Sequence, residues 1–121
     1  MAIIAFSTSG ENQEALLDLR FGRCKNFVLC DVEANTFSVV ENAQNMDAAQ
    51  GAGIQSAQNV IDHNAEILVT GNCGPKAFRV LSAAGVSIYL GDAKPILELL
   101  EDYKKGLLKK ADSANVEGHW A

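Results

Sequence analysis

Three cysteines and a handful of basic residues carry most of the reactive chemistry in this chain of 121 residues. Cys73 stands in the stretch Gly71-Asn72-Cys73-Gly74-Pro75-Lys76. The apolar, β-branched run Glu66–Thr70 before it reads as a buried strand, and Lys76–Leu81 after it reads as a helix. Pro75 suits the first helical position, where a missing N–H is no loss. Gly71 and Gly74 permit a tight turn and close approach of a ligand. Cys73 is therefore expected on a strand-to-helix turn at the carboxyl edge of a sheet, where open α/β sheets bind ligands. A helix N-terminus at that point favours a thiolate. A plain tight turn carrying a small, soft side chain fits the same residues. Neither the phosphate-loop spacing nor the G-x-G-x-x-G fingerprint is present.

A second constellation is Arg20-Phe21-Gly22-Arg23-Cys24-Lys25, with three cations around a glycine and a cysteine. Cations beside a thiol lower its pKa and attract anions. A solvated basic turn between strands is the alternative. Cys30 falls inside an apolar run and reads as a small buried hydrophobe. His63 is expected at a helix C-terminus, where an imidazolium suits the dipole. His119 and Trp120 lie in a weakly patterned tail that either folds back onto the site or frays.

The elements that must position these residues follow from periodicity. Ala2–Ser7 reads as a central strand. Thr8–Asp18 reads as a loop with a helical turn around Glu14–Leu17. Asn26–Val32 and Thr36–Glu41 form a hairpin through Glu33-Ala34-Asn35. Asn42–Gln50 is polar and expected to be mobile. A helix opens at Gly51-Ala52-Gly53 and runs to about His63, with Ile54, Ala57, Val60 and Ile61 on one face. After the Cys73 turn a second helix stops at Ala84-Gly85. Val86–Leu90 is a further strand. Asp92 is expected to cap a third helix, with Pro95 in its first turn and Ile96, Leu99, Leu100, Tyr103 and Leu107 on its apolar face. A flexible tail is expected over residues 109–121. The order β-β-β-α-β-α-β-α predicts one α/β domain with a mixed sheet. If Asn26–Val32 and Glu66–Thr70 run antiparallel, Cys24 and Cys73 fall at one edge of that sheet.

Bulk properties bound the function. A hydrophobic fraction of 48% with 21% charged residues indicates a globular domain. A net charge of −5 argues against general nucleic-acid binding. The longest apolar runs are too short for a membrane span, and the N-terminus lacks the basic flank of a signal peptide. A cytoplasmic protein is expected, with its odd number of cysteines serving as free thiols or metal ligands.

The order of elements, together with Arg20-Phe21-Gly22-Arg23-Cys24, the Gly51-Ala52-Gly53 helix start and the Gly71-x-Cys73-Gly74 turn, resembles the dinitrogenase iron–molybdenum cofactor family. That family includes NifX-like proteins, the C-terminal part of NifB and the orange proteins. The resemblance covers Ala2 to Tyr103 and sets a domain over residues 1–108. It implies a ribonuclease-H-like, five-stranded mixed sheet flanked by helices. It also implies a non-catalytic role in binding or carrying a metal–sulfur cluster, of iron–molybdenum, iron–sulfur or molybdenum–copper type, or its precursor during cofactor biosynthesis. Gln50 stands where many members carry a histidine. Soft, anionic clusters suit Cys73 and Cys24 as metal ligands, Gly71 and Gly74 in the turn, and Arg23 and Lys76, aided by Arg20 and Lys25, as balancing charges. Two thiolates are few for a permanent cubane, which usually takes four. The count suits a transient carrier, a cluster bringing its own sulfides, or a dimer sharing ligands. The implied partners are the cluster or precursor and cofactor-assembly or acceptor proteins, met by a monomer or weak homodimer. A regulatory module of the same fold is one alternative. A thiol enzyme is another, with only His63 or His119 available as base. Ribonuclease-H-type nuclease chemistry is excluded, because Ala2–Ser7 holds no metal-binding carboxylate.

Overall fold

A computed structural model describes residues 2–43 and 52–112. Gly51, most of the expected Asn42–Gln50 loop with Gln50 itself, and the tail with His119 and Trp120 lie outside the described residues.

Ile3–Thr8 forms β1, whose residues beyond Ile3 are all buried. A 3-10 turn at Phe21–Arg23 leads to β2 (Asn26–Asp31), which turns back into β3 (Thr36–Glu41). Then follow α1 (Ala52–Asp62), β4 (Ile67–Thr70), α2 (Pro75–Ala83), β5 (Ser87–Leu90), α3 (Ile96–Lys104) and β6 (Lys109–Lys110). One mixed sheet runs in the order β3-β2-β1-β4-β5-β6. The strands β1, β4 and β5 are parallel, and β2, β3 and β6 are antiparallel to their neighbours. The sheet thus has six strands where five were implied. The sixth forms at the start of the expected tail, where Lys109 and Lys110 pair with Leu90 and Tyr89. Ala111 beyond it donates its N–H to the Ile88 carbonyl at 2.8 Å.

The period-two alternation of the strands divides the core between the two sheet faces. Ala5, Phe27, Leu68 and Ile88 meet Val60 of α1 and Ala77 and Leu81 of α2. Ile4, Phe6, Val28 and Val69 meet Ile96, Leu99 and Leu100 of α3. Each fully buried Leu, Ile or Phe contributes about 1.5–3 kcal/mol. β1 lies in the middle of both layers, as its unbroken apolar run predicts.

Two local expectations are corrected. Residues 14–17 do not form a helical turn. Asn12 Oδ1 accepts the Glu14 N–H at 2.8 Å, and the chain then runs extended. Leu17 bridges to Thr8 and Leu16 bridges to Pro95. The buried Leu17 side chain fills the sheet end, which outweighs local helix propensity. Nor does Asp92 cap α3. Pro95 holds the cap position, and the Ala15 and Gln13 carbonyls accept the Ile96 and Leu97 N–H groups at 2.9 and 3.2 Å. Tertiary carbonyls therefore satisfy amides that a capping side chain would otherwise take. Leu107 follows the end of α3 and is 68% exposed, so it is not part of the buried face.

Candidate functional site

The register brings both cysteine turns to one end of the sheet. Thr8 of β1 pairs with Asn26, at the start of β2, while Phe6 pairs with Val69, one residue before the end of β4. The turn before β2 and the turn after β4 therefore emerge side by side across β1. They also touch. Arg20 and Asn72 form a parallel bridge, and the Phe21 N–H reaches the Asn72 carbonyl at 3.4 Å. Cys24 and Cys73 belong to the same apolar cluster, with Phe21, Phe27 and Ala77.

Gly71 permits this closeness. A Cβ there would stand 2.6 Å from the Leu19 Cβ and 2.8 Å from its Cα. Gly74 is different. Its φ of −77° and ψ of 171° are open to any residue, and it serves as the buried N-cap of α2. The glycine freedom expected at Gly74 is not used.

Neither thiol has the acidity expected of it. Cys73 is 1% exposed, and burial pushes its pKa up to about 12. Cys24 is 4% exposed and is likewise pushed up to about 12, by burial first and by the Asp18 charge second. Its Sγ donates to the Phe21 carbonyl at 3.3 Å. Hydrogen bonds from the Thr8 backbone and the Asn42 side chain oppose the rise without cancelling it. Desolvation of the charged form is the largest influence on both thiols. The flanking cations face water. Arg23, Lys25 and Lys76 are exposed, and Arg20 engages Asp18 through Nε at 3.5 Å.

Cys30 is fully buried in mid-strand, as expected of a core residue. His63 is exposed just beyond α1, with Nδ1 2.8 Å from the Asn59 carbonyl. Among the described residues no group of three or more His, Cys, Asp or Glu is placed to hold a metal ion.

Two features escaped the sequence reading. Asn42 is buried, and its Nδ2 donates at 2.9 Å to both the Cys24 carbonyl and Ser56 Oγ, lying 3.5 Å from Cys24 Sγ. Its Oδ1 accepts from Asn59 Nδ2 at 2.8 Å. One carboxamide thus ties the end of β3 to the Cys24 turn and to α1. Its only sequence signal was a polar residue directly after a strand. The second feature is a groove of about 680 Å³ at the same sheet end, with walls that include Leu16, Leu17, Leu19, Arg20 and Asn72. The apolar residues inside an otherwise polar stretch hinted at it.

A mixed α/β domain whose two cysteine turns meet at the carboxyl end of its parallel strands is the class that fold and site define together. The chain belongs to the dinitrogenase iron–molybdenum cofactor family, whose model matches residues 1–106. Its fold is similar to that of the apo orange protein from Desulfovibrio gigas, at 32% identity and a TM-score of 0.87, covering 96% of this chain and 98% of that one. A NifB-like protein from Thermotoga matches at 29% identity and a TM-score of 0.81, covering 98% of this chain and all of that one. An uncharacterised protein of Methanocaldococcus jannaschii is 27% identical over 97 residues, which is 78% of this chain and 81% of that one. Family and neighbours point to a cofactor-related carrier or biosynthetic role. Among the described residues no helix is long and apolar enough to cross a membrane.

Proposed function

We propose that this protein binds and carries a metal–sulfur cluster, or a precursor of one, for a cofactor-assembly or acceptor protein. The cargo is of iron–molybdenum, iron–sulfur or molybdenum–copper type. Cys73 and Cys24 act as its metal ligands, Gly71 and Gly74 shape the turn, and Arg23 and Lys76 balance its charge. The observation that carries this reading is the contact between the turns 20–24 and 71–74 at one sheet end. The strand order, with an antiparallel hairpin beside a parallel set, supports a ribonuclease-H-like class of fold. We read the protein as a cytoplasmic monomer or weak homodimer.

The buried thiols give the reading a definite chemistry. A soft metal takes the thiolate and displaces its proton, so ligation releases protons and strengthens as pH rises. At neutral pH both sulfurs are held as thiols, shielded from water and oxidant by the apolar cluster. Transient loading and release suit such a pair better than permanent storage does. Neutral, buried thiols also count against a cysteine nucleophile.

The same burial, with no group of three ligands among the described residues, favours a second reading: a non-catalytic regulatory module of this fold. Anaerobic reconstitution with iron, molybdate or copper plus sulfide separates the two. A carrier gains visible metal–sulfur absorption and a reproducible metal content per chain. A regulatory module emerges from gel filtration colourless and free of metal.

A further inference from the structure

We propose that the leucine-walled groove beside the Arg20–Asn72 bridge is a separate binding site for a small amphiphilic carboxylate, a compact apolar body ending in one carboxyl group. No cysteine lines this groove, nor does Arg23 or Lys76; it shares only Arg20 and Asn72 with the turns assigned to the cluster. Its place, beyond the carboxyl ends of the parallel strands β1 and β4, is where open α/β sheets accept ligands. Its volume of about 680 Å³ falls within the usual range for small-molecule pockets.

The apolar wall is held rigidly. Leu16 is 57% exposed although its backbone is fixed on both sides. Its carbonyl accepts Thr8 Oγ1 at 2.8 Å, and the residue bridges to Pro95. A leucine displayed to water on a fixed backbone forgoes burial that an apolar ligand would supply.

The polar end is built for an anion. Asp18 Oδ1 accepts the Arg20 N–H at 2.9 Å and faces Nε at 3.5 Å, while Oδ2 accepts Ser9 Oγ at 2.6 Å. Asp18 is thereby occupied on both oxygens and steadies one edge of the guanidinium. The terminal nitrogens of Arg20 find no partner among the described residues, nor does the side-chain amide of Asn72. A guanidinium with its outer edge free takes a carboxylate through two parallel, charge-assisted bonds, and a neighbouring amide can donate a third. Inorganic phosphate would leave the leucines wet, and a neutral hydrocarbon would leave Arg20 unused. The two halves together select a molecule that has both parts.

Octanoate is a suitable probe, with octanol as its neutral control. In a titration followed by amide chemical shifts, octanoate is expected to saturate at millimolar concentration or below. The shifts should cluster at Leu16 to Arg20 and at Asn72. Arg20→Gln, at an exposed side chain, should leave the spectrum elsewhere intact and weaken octanoate by roughly ten-fold or more, as loss of a charge-assisted pair requires. Octanol should bind the parent as weakly as octanoate binds the variant. Shifts that do not saturate, that cluster elsewhere, or that survive Arg20→Gln at unchanged affinity overturn the proposal. So does octanol binding as tightly as octanoate.

Discussion

Cys73 shows how local and tertiary forces compete for one side chain. A glycine-flanked turn, a proline at the first helical position and a nearby lysine all favour its ionised form. The folded chain buries it instead, and burial wins. The position of Cys24 and Cys73 was legible in the sequence, since turn residues and strand ends are local signals. Their protonation state was not, because desolvation depends on residues distant in sequence, such as Ala5 of β1 and Ala57 and Val60 of α1, joining the same cluster. The consequence is measurable. A thiol raised from 9.0 to about 12 on folding stabilises the protein fully below pH 9, and that contribution fades as pH climbs towards 12. The unfolded chain releases its protons first, so it gains on the folded one throughout this window. Urea midpoints recorded between pH 8 and 11 should fall more steeply for the parent than for Cys73→Ala. Parallel slopes would mean that the sulfur is less desolvated than its surroundings imply.

Among the elements, the strand-to-helix unit around β4 and α2 was read almost to the residue, as was the β2–β3 hairpin. Both rest on strong periodic patterns bounded by turn residues. The segment 8–18 was not, because its shape comes from partners far away in sequence. It borrows a sheet end from β1 and lends carbonyls to α3. Asn42 escaped for the same reason: its partners Cys24, Ser56 and Asn59 are distant in sequence. Just beyond the segment 8–18, Leu19 packs against Gly71, and that contact sets a strict local requirement. Gly71→Ala pushes a methyl into the Leu19 backbone, which cannot swing aside as a flexible side chain would. The expected cost is about 1–3 kcal/mol in chemical denaturation, the usual range for overpacking. Weaker proton–proton NOEs between the turns 20–24 and 71–74 should accompany it. An alanine variant as stable as the parent would show that the two turns are not tightly joined.

For the molecule as a whole, one α/β domain with a mixed sheet was legible from the alternation of apolar runs and amphipathic helices, while the division of its core between two faces emerged only in the structure. The sixth strand was not, since two lysines carry no strand signal and pair only because β5 offers an open edge. Charge is distributed to match the proposed use. The chain is acidic overall, at −5, yet Arg20 and Arg23 lie in the first of the two turns that meet at one end of the sheet, Lys25 directly follows that turn, and Lys76 lies in the first turn of α2. An anionic cargo would find local attraction there against a repulsive background. The most direct test compares metal content and visible absorption after anaerobic reconstitution of the parent, of Cys30→Ala, and of Cys24→Ala combined with Cys73→Ala. If the two turns hold the cargo, the parent and Cys30→Ala take up equal metal with the same absorption bands, while the double variant, still folded, loses most of both. Equal uptake by all three would contradict the account, since the cysteines at the sheet end would then be core residues and the cargo would lie elsewhere.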